Sequence, residues 1–431
     1  MVVVNMFNNT KKSKELTSID IGVCSIIMGS IASNLLCLNP VISTTFFTAG
    51  FGSFAYHVIY KNNKFEKLWR NCNLHNKDDV FPKLREKKNT SYGYCLRFSL
   101  PIGLSSNDFI KHQQSIEQYL NKKVKIKYKH QNILIEVYEQ ELKQDYDFEL
   151  IKTKSPVSFP IGYSFGNKMQ TVDLSNSLPH MLIAGETGSG KSTVLRSIVT
   201  TLIATKNPKM LKIHLIDMKN GAEFNIFQGY PIVKTFSRNK KQAEKVLYQL
   251  SDEVDKRYNL FFQTNCVDIQ EYNQNHKKKL NYQIVIIDEF ADLQNEKGSI
   301  SIIEQLVAKA RACGIHLIIS TQRPDSKILN GRIKANCSII LGLKTMNEVN
   351  SRIIIDHGGL EHLRGRGHGI LKVNNEIEVQ SMNLSPKQAR DILKSSTNRH
   401  RKSSNKATFK KKKFDNKTKA KVSDNVIKKL F

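Results

Sequence analysis

The stretch that most limits what this chain can become is Gly185-Glu186-Thr187-Gly188-Ser189-Gly190-Lys191-Ser192. Its spacing is that of a phosphate-binding loop. The glycines let successive backbone N–H groups turn inward toward a β-phosphate, and a following helix adds its positive dipole end to the same anion. The flanks agree with that geometry. Met181-Leu182-Ile183-Ala184 is an apolar run short enough for a buried parallel strand, and Thr193-Val194-Leu195-Arg196-Ser197-Ile198-Val199 carries its apolar residues at helical spacing. Gly185 through Thr193 are therefore the expected binding set for ATP. Within it Lys191 neutralises the β- and γ-phosphates and Ser192 offers a hydroxyl to Mg²⁺.

From Pro156 onward strands alternate with helices, a pattern that implies a parallel sheet covered on both sides. Ile213 to Asp217 is an apolar strand ending in Asp217-Met218-Lys219, and Lys240 to Phe262 is a long amphipathic helix. A further strand, Ile284-Val285-Ile286-Ile287, delivers Asp288 and Glu289 to its carboxyl end. Ligands bind at that edge of such sheets, so Asp288 is expected to hold the Mg²⁺ shell and Glu289 to orient and deprotonate the attacking water. The strand Ile315 to Ser320 ends in Thr321-Gln322-Arg323-Pro324. Gln322 there is either a sensor of the γ-phosphate or simply a polar cap on a strand end.

The chain has 431 residues, room for two or three domains, and a formal charge of +29, from 67 Lys+Arg against 38 Asp+Glu. A polyanion partner, nucleic acid or anionic lipid, follows from that imbalance. Seven cysteines with no CxxC pair point to neither a disulfide framework nor a zinc site.

From Ile21 to Tyr60 there is no Asp, Glu, Lys or Arg, and Asn39-Pro40 divides the run into two spans near the length of a hydrocarbon core. Residues 18–60 thus read as a transmembrane hairpin, with a buried core hairpin as the competing reading. Lys11, Lys12 and Lys14 before it, and Lys61, Lys64, Lys67 and Arg70 after it, place both ends in the cytoplasm. Trp69, with Tyr56 and Tyr60, suits the membrane interface. The expected organisation is a cytoplasmic N-terminus at 1–17, the hairpin, a polar connector at 61–91, a small α+β module at 92–155, a motor domain at 156–384 and a basic tail at 385–431. In the small module, Tyr94 to Ser99 alternates like a strand, Ser106 to Leu120 has helical spacing, and Val124–Tyr128 with Ile133–Tyr138 reads as a hairpin. From Lys394 on, 14 residues are Lys or Arg against two Asp, too polar to bury a core. That tail either binds DNA or an acidic partner, or merely keeps the chain soluble.

Leu178 through Gly185, the loop GETGSGKS, the element Ile286 to Leu293, the run Arg311-Ala312-Cys313-Gly314-Ile315-His316-Leu317, Thr321-Gln322-Arg323-Pro324 and Ile333-Lys334-Ala335-Asn336 together resemble the FtsK/SpoIIIE family of DNA translocases. Ser351-Arg352, Asp356-His357-Gly358-Gly359 and Gly365-Arg366-Gly367 look like that family's C-terminal signature. The resemblance implies a RecA-like P-loop ATPase that forms a hexameric ring around DNA, with ATP between subunits. It implies Lys191, Ser192, Asp288, Glu289 and Gln322 as the nucleotide machinery and an arginine from a neighbouring subunit, for which Arg311, Arg323 and Arg352 all stand as candidates. Arg332 and Lys334 are candidates for DNA-phosphate contacts or, equally, a solvated helix face. Two spans, little linker and no room for a terminal DNA-reading module depart from the chromosome-segregating members. Those departures are similar to coupling proteins of conjugative elements in Gram-positive bacteria, with a relaxase and mating-channel proteins as partners. Chromosome or plasmid segregation and protein export remain the alternatives.

Overall fold

The computed structural model describes residues 65–175, 178–293, 297–325, 329 and 331–396. The hairpin expected at 18–60 and the tail beyond 396 lie outside them. Among the described residues no helix is long and apolar enough to cross a membrane. The chain forms two compact units that part between Glu141 and Leu142.

The first unit is a four-stranded antiparallel sheet of order β1-β2-β4-β3, built from β1 (Leu84–Thr90), β2 (Gly93–Ser99), β3 (Lys123–Lys129) and β4 (Asn132–Tyr138). In β3 and β4 alternate residues are core: Val124, Ile126, Ile133, Ile135 and Val137 are buried, while Lys123, Lys125 and Lys127 of β3 and Leu134 and Glu136 of β4 lie on the other face. His130 and Gln131, both at positive φ, make the two-residue turn that joins them. Against the sheet pack α1 (65–71), α2 (Ser106–Lys111) and α3 (Gln113–Leu120). Where one helix was expected from Ser106 to Leu120, the backbone breaks at His112 (φ −100°, ψ 14°).

Three expectations change here. The 61–91 segment is not merely a connector, because α1 and β1 both belong to this unit. Trp69 is no membrane anchor: it is fully buried, with Phe98 edge-on at 5.1 Å and Phe109 at 5.7 Å. Lysines and arginines around it hid the apolar stripe Phe65, Leu68, Trp69 and Cys72, which needs a partner sheet to be recognised as core. The segment after Leu384 does not begin as a tail, since residues 386–396 form a helix that buries Ala389 and Leu393.

The second unit is built on a ten-stranded mixed sheet. Its strands are β5 (Ser158–Ser164), β6 (Lys168–Asp173), β7 (Met181–Ala184), β8 (Leu211–Ile216), β9 (Val233–Ser237), β10 (Tyr282–Ile287), β11 (Ile315–Thr321), β12 (Ile339–Leu343), β13 (His368–Lys372) and β14 (Glu376–Ser381). The order is β6-β5-β14-β13-β12-β7-β11-β10-β8-β9. From β12 to β9 neighbours run parallel, and the other strands add on antiparallel. Strands β7, β10, β11 and β12 are buried at every position, which is why they read as continuous apolar runs rather than alternating ones. The helices α4 (Lys191–Thr205) and α5 (Lys240–Thr264) supply much of the covering. In α5 the residues Ala243, Val246, Leu247, Leu250, Val254 and Phe261 turn inward at helical spacing.

Four histidines of this unit are buried, and three of them, His180, His214 and His316, sit among its central strands. Leu317 N donates to His180 Nδ1 at 3.0 Å, His316 Nδ1 meets Pro179 O at 2.9 Å, and His214 lies between Thr235 Oγ1 and Gln283 Oε1, both at 2.8 Å. Burial is the main cause that pushes His180 down to about 3 and His214 and His316 to about 4. These rings stay neutral when folded, while unfolded ones take up a proton below about 6.5. Their stabilisation is therefore complete above that pH and is lost as pH falls toward 4. Each histidine is expected to steepen the loss by about 1.4 kcal/mol per pH unit. Urea unfolding across that window checks it, and His214→Gln should flatten the profile by one histidine's share.

Candidate nucleotide site

Because β7, β8, β10 and β11 run parallel, their carboxyl ends reach the same edge of the sheet and place Gly185, Asp217, Asp288 and Gln322 together there. The phosphate loop leaves β7 tied on both sides. Gly185 N donates to Thr321 O at 3.3 Å, and Glu186 N donates to Lys344 O at 2.9 Å. Val194 N donates to Gly190 O, the first bond of α4. The amides of Lys191, Ser192 and Thr193 thus have no acceptor within the helix and remain for an anion.

A segment the sequence offered no reason to connect with this loop closes it from above. Gly367 N donates to Ser189 O at 2.7 Å, Arg366 N donates to Gly188 O at 3.3 Å, and Gln380 Nε2 donates back to Arg366 O at 2.8 Å. Gly190 sits at φ +102°, and a Cβ there would stand 2.1 Å from Gly367 N. Glycine is required at 190 both by its backbone and by this approach.

Inside the loop Lys191 is 3 % exposed. Its Nζ donates to Asp288 O and Asp288 Oδ1, each at 2.8 Å, and to Ser320 Oγ at 3.2 Å, with Glu289 Oε2 at 3.8 Å. Ser320 Oγ also donates to Asp288 O. Asp288 is completely buried, yet its Oδ2 has no hydrogen-bond partner among the described residues. Glu289 is held by its neighbours: Thr321 Oγ1 donates to Oε1 at 2.9 Å, and Gln322 N reaches Oε1 at 3.1 Å and Oε2 at 3.2 Å. Thr187 Oγ1 donates to Gln322 Oε1 at 3.3 Å, which links the phosphate loop to the end of β11.

This donor set fits Mg²⁺·ATP. Asp288 Oδ2 is a buried anionic oxygen with no hydrogen-bond partner among the described residues, Ser192 stands in the first turn of α4, and the loop amides converge beside Lys191. When bound, Mg²⁺ would neutralise phosphate charge and polarise the terminal phosphoryl group. Lys191 can swing from Asp288 onto the phosphates. Glu289, oriented by Thr321 and the Gln322 amide, is placed to accept a proton from water, and any strain it feels passes directly to Gln322.

The remaining candidates separate. Arg323 follows the carboxyl end of β11, on the nucleotide edge, whereas Arg311 precedes its amino end, about 20 Å away along the strand. Arg311 lines a cavity of about 590 Å³ with Tyr258, Ile269, Tyr282 and His316. Arg352 is exposed and paired with Glu348 in the helix that spans Glu348–Ile355. Arg332 is exposed and meets Glu304 at 3.4 Å. Lys334 donates to Ile353 O and Asp356 Oδ1, both at 2.7 Å, so it ties down the C-terminus of that helix. Sequence reading passed over Ser320, Thr321 and the 365–367 segment as parts of the site, since their roles arise only from strand adjacency.

Residues 141–326 match the FtsK/SpoIIIE family profile. The chain is 32 % identical to the DNA translocase FtsK of Staphylococcus epidermidis over 264 residues, 57 % of this chain and 33 % of that protein. It is 35 % identical to the DNA translocase SpoIIIE of Bacillus subtilis over 234 residues, 51 % of this chain and 30 % of that protein. It therefore spans about a third of the length of these relatives. In fold it is similar to the pCW3 conjugation coupling protein TcpA, solved with ATPγS, at a TM-score of 0.54 and 23 % identity, over 78 % of this chain and 99 % of that one. It is also similar to the cytoplasmic domain of the type VII secretion ATPase EccC of Thermomonospora curvata, at a TM-score of 0.51 and 21 % identity, over 57 % of this chain and 32 % of that one. A phosphate loop, an acidic pair and a glutamine on adjoining parallel strands, within the matched residues 141–326, mark this segment as an ATPase domain of the FtsK/SpoIIIE type.

Proposed function

We propose that this protein is a membrane-anchored, ATP-driven DNA translocase that serves as a coupling protein in conjugative transfer. The observation that carries ATP turnover is the Lys191, Asp288, Glu289 and Gln322 constellation, in which a buried lysine, a metal-facing carboxylate and an oriented base share one sheet edge. DNA as the substrate is supported by the sequence identity to FtsK and SpoIIIE translocases and by the net charge of +29. The conjugative role is supported by the likeness in fold to the conjugation coupling protein TcpA. Anchoring rests on the uncharged stretch from Ile21 to Tyr60. The motor acts as a ring of identical subunits, with Arg311 or Arg323 completing a neighbour's site.

The test is the ATPase rate of the full-length protein with duplex DNA, single-stranded DNA and no DNA, across a salt series. Stimulation by DNA that falls steeply with salt is expected, because phosphate contacts release counterions. Stimulation only by a secreted protein would replace this reading with export. A second reading, segregation of chromosomes or plasmids, draws on the same identity to FtsK and SpoIIIE. Deleting the gene separates the two: loss of plasmid or element transfer with normal division supports coupling, and division defects with normal transfer support segregation.

A further inference from the structure

Lys219, at the end of β8, has no role in the site as derived so far, yet the loop that carries it is built with unusual care. Asp217, completely buried, accepts hydrogen bonds from Lys219 N at 3.0 Å, Glu223 N at 2.9 Å and Phe224 N at 3.0 Å. Asp288 N donates to Ile216 O at 3.0 Å, which locks this loop in register with the acidic pair. Glu223 meets Arg196 of α4 at 3.0 Å, and Arg196 also donates to Leu384 O at 2.8 Å. The loop is thus braced against β10 and against the helix that follows the phosphate loop. Its product is one cation: Lys219 Nζ stands 3.9 Å from Asp288 Oδ2. That is the oxygen left without a hydrogen bond, and the one free to face Mg²⁺ while Lys191 holds Oδ1.

We propose that Lys219 is a positioning residue that acts through Asp288, occupying the field of its metal-facing oxygen until Mg²⁺ arrives with nucleotide. A completely buried carboxylate needs compensating charge when Lys191 leaves it for the phosphates. Lys219 supplies that charge from a side chain that is 37 % exposed and therefore able to withdraw. Two cations cannot share one oxygen at low cost, so Lys219 competes with the metal and raises the metal concentration needed to fill the site. With ADP, which offers no γ-phosphate to receive the displaced ammonium, the competition is at its plainest. The inference rests on the nucleotide reading of the site, and one experiment examines both.

The experiment titrates Mn²⁺ into the full-length protein with ADP, reading free Mn²⁺ by electron paramagnetic resonance, and measures ADP binding separately in EDTA. Lys219→Met, which keeps length and loses charge, is expected to lower the half-saturating Mn²⁺ roughly three- to tenfold, with ADP affinity in EDTA unchanged. Lys219→Arg should keep the wild-type Mn²⁺ requirement. An unchanged or higher Mn²⁺ requirement in Lys219→Met overturns the proposal. Loss of ADP binding in EDTA by that variant alone also overturns it, since Lys219 would then be holding the loop together. Failure of the wild-type protein to bind ADP under any condition would instead remove the nucleotide reading on which it rests.

Discussion

Glu289→Gln should bind ATP as tightly as the wild-type protein and hydrolyse it about 10²–10⁴-fold more slowly, the range lost with a general base. The reason lies in what the substitution preserves. Oε1 of Glu289 accepts from both Thr321 Oγ1 and Gln322 N, and a glutamine oxygen can take the same two bonds. Strand end, loop and Gln322 therefore keep their places while the group that would accept a proton from water is gone. Single-turnover hydrolysis beside equilibrium binding of a fluorescent nucleotide separates the two effects. Equal loss of binding and turnover would mean that Glu289 organises the pocket and does not act on water.

Lys191→Ala should lose nucleotide binding as well as turnover, by at least about 10²–10³-fold in kcat/KM, and it should also weaken the fold. Lys191 and Asp288 are 3 % and 0 % exposed, and Nζ carries two hydrogen bonds at 2.8 Å and one at 3.2 Å. Removing Lys191 leaves Asp288 only the partly exposed Lys219 at 3.9 Å, so the cost is expected to approach but not reach that of a wholly uncompensated buried charge, about 3–5 kcal/mol. Asp288→Asn in the Lys191→Ala background removes the orphaned charge and should recover part of that loss without recovering activity. Urea unfolding of the single and double variants measures it. Additive losses would show that the two side chains do not depend on each other.

Much of the site is legible in the sequence, and the reasons are physical. Gly185 to Ser192 is local: the turn, the converging amides and the helix that follows are made by consecutive residues, so spacing alone specifies them. Asp288 and Glu289 were readable because a four-residue apolar run can end at only one edge of a parallel sheet. The opposite case is Trp69. Glu66, Lys67 and Arg70 lie near it in sequence, and only the sheet packed above it turns an interface residue into core. Lys334 likewise looked available for a phosphate until its ammonium proved to be held by Ile353 O and Asp356.

The sequence by itself determined the α/β alternation, the phosphate loop, the acidic pair and the family likeness, because each is encoded within a few consecutive residues or in their order. Tertiary structure alone decided that Gly367 seals Gly190, that Thr321 and Gln322 hold Glu289, and that Lys219 faces Asp288. Those contacts join residues 32 to 177 positions apart through the adjacency of strands in the sheet, and no local rule of spacing carries that information.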